Sequence, residues 1–169
     1  MYRSSPSLST LITLLERQQN RFEAFLALLD KERTAIKTLA SASLVEISEA
    51  KLNLLEDIRL LDEQRSAAVA RLAGNWGVEA DSLTLRAIAQ RVGPIEAGTL
   101  VRLHERLNKT VAAVRDSTGL NGDLIARSLA FLNQGLEVWR SSPNASALYS
   151  MHGALKSSVT QPTFVEQKG

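Results

Sequence analysis

Cysteine is absent from the 169 residues, which excludes a disulfide framework, thiolate-held zinc or iron–sulfur centres and a thiol nucleophile, and fits a reducing cytosol. There are only two histidines. Val101 stands three residues before His104 and Tyr149 three before His152, so the Glu-x-x-His pairs of a dimetal bundle are missing. The nine glycines form no G-x-S-x-G elbow, no G-x-x-x-x-G-K phosphate loop and no G-x-G-x-x-G turn. No cofactor or metal is expected, and an enzyme is disfavoured. Charge of one sign is also lacking. Twenty cations face 18 anions for a net charge of +2, with no basic block, so strong binding to a phosphate backbone is not expected. The longest apolar run, Ala24 to Leu29, is far below the ~20 residues of a membrane span. Residues 1–16 show no apolar export signal. Asn144-Ala145-Ser146 matches a glycosylation acceptor, a chance match in a chain without such a signal.

What is present is globular composition, 44% hydrophobic and 22% charged, enough for one domain, or one domain with a tail. Leu8, Leu15, Phe22, Leu29 and Ile36 recur every seven residues, with Leu11, Ile12, Phe25, Leu26 and Leu39 between them. This spacing predicts an amphipathic helix over 6–40, with Ser5 as N-cap and Pro6 at the first helical position. Ser43 and Glu46 read as a capping box that opens a second helix. Its buried stripe runs through Leu44, Ile47, Leu54, Leu55, Ile58, Leu61, Ala68, Val69 and Leu72 to a stop at Gly74. The short link makes the two helices an antiparallel hairpin.

Beyond the Gly74 to Gly77 turn, Ser82 to Val92 reads as a short helix closed by Gly93-Pro94. A third long helix then extends from Ile95 to about Ser141, kept as one helix despite Gly119 and Gly122. Residues 143–169 are rich in Ser, Thr, Gln and Pro and read as a mobile tail. The expected fold is all-α: an elongated antiparallel bundle of three long helices and one short one, 1–142, followed by the tail, 143–169.

Two features bear on function. Leu83 to Gly93 imitates the first helix and turn of a DNA-binding helix-turn-helix. The would-be reader offers only Arg102, Arg106 and Lys109, so a bundle-capping helix is the favoured reading. His104 shares the phase of Leu103 and Leu107 and reads as a packing or hydrogen-bonding residue. Farther along, the apolar face widens. Leu100, Leu103, Leu107, Val111 and Val114 lie within ~80°, whereas Leu120, Leu124, Ile125, Leu129, Phe131, Leu132, Leu136, Val138 and Trp139 spread over ~180° at ~100° per residue. A second stripe, Leu124, Phe131 and Val138 at heptad spacing, flanks the first, and Ser128 and Gly135 lie between the two, where another helix could approach closely. Such a surface suits docking of a helix or self-association as a homodimer, and internal burial by neighbouring helices would account for it equally well.

Lys51, Leu54, Leu61, Arg65 and Gly74, the Leu83-Thr84-Leu85-Arg86 segment, and Asn121-x-x-Leu124-x-x-x-Ser128-Leu129-x-Phe131 together carry a resemblance over about 8–153. The chain resembles the FlgN family of flagellar type III export chaperones. The resemblance implies a cytoplasmic chaperone that binds the C-terminal helical segments of hook-associated proteins and delivers them to the export gate. It implies that Leu120, Leu124, Ser128, Phe131, Leu132, Gly135, Val138 and Trp139 hold the client. Tyr149, followed shortly by Gly153, would contact the cytoplasmic domain of the gate. The competing readings are a coiled-coil adaptor, a sibling chaperone for another flagellar subunit, or the helix-turn-helix regulator.

Overall fold

The structure is a computed structural model, and it describes residues 6–141. Among these there is no strand. The helices are α1 (Pro6–Thr38), α2 (Ser41–Trp76), α3 (Leu85–Ala89) and α4 (Pro94–Ser141), with a single 3₁₀ turn at Ala80–Ser82 before α3. The all-α expectation of three long helices and one short one holds, and α4 is one helix through Gly119 and Gly122. The tail over 143–169 and the cap at Ser5 lie outside the described residues. The chain divides into two units after Ile125, and each is described by itself.

In the first unit α1 and α2 form an antiparallel hairpin. Ser7 meets Asn75 near one end and Glu32 meets Lys51 near the other. The α4 residues of this unit run parallel to α1, since Gln19 pairs with Thr110 and Leu29 with Asn121. The apolar core gathers at the open end of the hairpin. Leu8, Leu11 and Leu15 of α1, Leu61, Ala68 and Leu72 of α2, Leu83, Ile88 of α3 and Leu100 of α4 form one cluster. Its α1 and α2 members lie on the apolar stripes of those two helices, and burying each large side chain is worth about 1.5–3 kcal/mol.

The helix ends differ from the sequence expectation. α1 stops at Thr38 because Leu39 takes a left-handed φ of 53°. Its N–H donates to Ile36 O and the Ala40 N–H to Ala35 O, the paired bonds of a Schellman motif. Ser41 N then donates to Leu39 O around Ala40, an inverse γ-turn that opens α2 at once. The Ser43–Glu46 capping box is therefore not formed: α2 begins at Ser41 and its cap, Ala40, offers no side chain. Leu39 and Leu55, expected on buried faces, are exposed.

Gly74 does not end α2 either. The helix continues to Trp76, and Gly77, at φ 64°, is the left-handed residue that ends it. The short helix is smaller than the predicted Ser82 to Val92, because Thr84 caps it by accepting from the Ala87 N–H at 3.1 Å. Pro94 opens α4, where its missing N–H costs nothing.

Candidate functional site

Along α4 the seam that buries Leu100 completely passes through the half-buried Leu103, Leu107, Val111 and Val114. Two polar links interrupt it. Gln19 Nε2 donates to Thr110 Oγ1 and to Glu23 Oε1, both at 2.8 Å. Arg106 closes on the same carboxylate oxygen at 2.6 Å. The bond from Gln19, and next the one from Arg106, hold the Glu23 carboxyl below the usual glutamate range. Gln19 Oε1 is buried and accepts no hydrogen bond among the described residues.

The second link is fully satisfied. Asn121, 2% exposed, donates from Nδ2 to Leu29 O and to Glu32 Oε2, both at 2.8 Å, and its Oδ1 accepts from Arg33 Nε at 3.2 Å. The other oxygen of Glu32 accepts from Lys51 Nζ of α2 at 2.8 Å, and that ammonium also lies 5.8 Å from the Phe25 ring centre. One buried carboxylate thus joins α1, α2 and α4. A polar group in an otherwise apolar seam fixes which residues face each other, the established use of such groups in helix packing.

Sequence spacing missed Glu32, Gln19 and Thr110, although there was a signal. Gln18, Gln19 and Glu32 sit on the phase that Leu11, Leu15, Phe25 and Leu29 make apolar, and all three are buried. His104, in contrast, is exposed and meets Asn108 through its Nε2 at 3.1 Å. It is a surface hydrogen-bonding residue rather than a packing one. Of the three cations on the would-be DNA reader, Arg106 is committed to Glu23 and Arg102 bonds Thr99.

Beyond Asn121 the character of α4 changes. Ile125, Leu129, Leu132 and Leu136 continue the phase of the seam, yet they are 40–56% exposed. On the second stripe Leu120 is 56%, Phe131 75% and Val138 68% exposed, while Leu124 is half-buried. Ser128 is half-buried, and Gly135 has open space where a Cβ would stand. Trp139 belongs to α4, but its side chain lies outside the described residues, as does Tyr149. Both stripes are thus turned out along one helix as an apolar surface. Among the described residues no His, Asp or Glu cluster could hold a metal, and no helix is long and apolar enough to cross a membrane.

The sequence profile of one family, described as FlgN protein, matches residues 1–157. The chain belongs to the FlgN family. FlgN proteins are flagellar export chaperones, not an enzyme family. No curated protein and no solved structure matches the chain. In this FlgN chain, Lys51 and Asn121, which carried part of the resemblance, meet through Glu32, so these two positions serve the packing of the helices. Ser128, Leu129 and Phe131, from the same segment as Asn121, remain outside that packing.

Proposed function

We propose that this FlgN chain is a cytoplasmic chaperone of hook-associated proteins, whose terminal helices dock on α4 between Leu120 and Trp139. One observation carries the reading: the apolar side chains from Ile125 to Val138 are 40–75% exposed, although Ile125, Leu129, Leu132 and Leu136 share the phase that the preceding turns of the helix bury or half-bury. A terminal helix of a filament-type subunit is amphipathic and pairs prematurely with its own kind unless its apolar face is covered. In this reading Phe131 is the anchor, the Ser128–Gly135 strip lets the client helix approach closely, and Leu124 and Leu132 flank it. Release needs no nucleotide, because the export gate competes for the client or for the C-terminal segment.

The division of labour follows the domain reading. Residues 1–142 hold the client, and 143–169 present Tyr149 to the cytoplasmic domain of the gate. Calorimetric titration with peptides of the terminal helices of hook-associated proteins tests the client half. Phe131 is exposed enough that Phe131→Asp leaves helicity and melting temperature within error of wild type. Loss of an anchor of about 2 kcal/mol should weaken binding roughly 30-fold. Equal affinity of wild type and variant would refute the client site. A wild-type dimer that Phe131→Asp converts to monomer, with no peptide bound by either, would assign the face to self-association.

A further inference from the structure

The first unit carries a second apolar surface, on α2, that the packing of the hairpin does not use. Val45, Leu52 and Leu55 are 60%, 67% and 48% exposed. They fall within ~80° of arc at ~100° per residue, centred ~120° from the stripe that α2 turns toward α1. Their spacing, i, i+7 and i+10 with Ser48 at i+3, is that of one face offered to another helix. Charge on this face is net negative. Glu49 and Glu56 border the three apolar side chains, and the sole cation in 41–58 is Lys51, which is drawn inward to Glu32. Arg59, one turn farther on, is already shared between Glu56 and Glu63. Leu39, in the turn that leads into α2, is 61% exposed and held at a positive φ, so neither core packing nor backbone preference accounts for a leucine there.

We propose that the Val45–Leu52–Leu55 face of α2 is a docking surface, separate from the α4 face, for an amphipathic helix of a partner protein that is flanked by lysine or arginine. The apolar row supplies area, and Glu49, together with the negative charge that a single Arg59 leaves on Glu56 and Glu63, selects a basic partner over an acidic one. The face is short, about three helical turns, which suits a transient contact rather than a permanent subunit interface.

Two synthetic probes test this. Both are amphipathic helices of about six turns with the same leucine stripe, one flanked by lysines and the other by glutamates. Fluorescence anisotropy with the full chain at low salt should show at least tenfold preference for the lysine probe, shrinking as salt is raised. Leu52→Asp should abolish binding of the lysine probe while the circular dichroism spectrum stays that of wild type. Glu49→Lys should weaken the lysine probe and strengthen the glutamate probe, a reversal that a merely destabilised fold would not give. Binding without preference between the probes, binding that survives Leu52→Asp, or no binding of either probe would overturn the proposal. So would two other outcomes: a wild-type dimer that Leu52→Asp dissociates gives the face to a second copy, and faster tryptic cutting at Lys156 in Leu52→Asp gives it to the chain's own C-terminal segment.

Discussion

At Leu39 a single φ decides where α1 ends and how α2 returns. A residue with a Cβ pays about 1–2 kcal/mol for the left-handed region, while glycine there loses about 0.5–1 kcal/mol through the freedom it gains in the unfolded chain. Leu39 is mostly exposed, so removing its side chain forfeits little burial. Leu39→Gly should therefore raise stability by up to about 1 kcal/mol, seen as a higher urea midpoint with an unchanged slope. The converse holds at Gly77, where φ is 64°: Gly77→Ala should cost about 1 kcal/mol although nothing lies within 4 Å of the added Cβ. A lower midpoint for Leu39→Gly would show that the leucine, not the backbone, is what the turn needs.

The helices are where spacing could be read and where it ran out. The seven-residue repeat of α1 and the apolar stripe of α2 located their buried faces, apart from Leu39 and Leu55, because burial enforces period 3.6 over many turns. It failed at their ends, since a Schellman turn needs only one left-handed residue and leucine gives no sign of being that residue. The Ser43–Glu46 pattern is real in sequence, but the γ-turn at Ala40 had already started the helix. The two links between α1 and α4 were half legible. Polar residues on an apolar phase announce a constraint, but their partners stand about ninety residues away in sequence, at a register no local pattern sets. The widened face of α4 was legible in full, because it needs only phase; whether neighbours covered it was not. Asn121 gives the test of the link. Asn121→Ala leaves Leu29 O and one Glu32 oxygen short of a buried donor, which should cost about 2–3 kcal/mol in urea unfolding. In the same helix Gly119→Ala and Gly122→Ala meet no neighbour within 4 Å and should each add about 0.5–1 kcal/mol. If either instead weakens client binding while stabilising the helix, its glycine serves the docked state.

Across the molecule the core cluster sits at the open end of the hairpin and the polar links hold α4 farther along, so stability is graded. Acid tests the polar part. The folded-state pKa of Glu23 is depressed, by its bond from Gln19 first and by Arg106 next, so its contribution is present above the ordinary glutamate value of 4.5 and is lost as pH falls through the lower folded value. Between pH 6 and 3 the wild type should lose more stability than Glu23→Gln, and parallel curves would remove Glu23 from the account. Hydrogen exchange tests the gradient as a whole. Amides near Leu11, Leu15 and Leu72, all at 0–1% exposure, should open only with global unfolding. Residues 126–138 bury no side chain, and a helix of that length without an apolar partner is marginal in water, so their amides should exchange within the shortest labelling time. A client helix laid on Phe131 and Leu132 must order these turns in order to bind them. Adding it should therefore protect 126–138 while leaving the rates around Leu15 and Leu72 in proportion to the binding free energy alone. Slow exchange across 126–138 in the free chain would mean that the face is already covered, and the docking reading of α4 would fail with it.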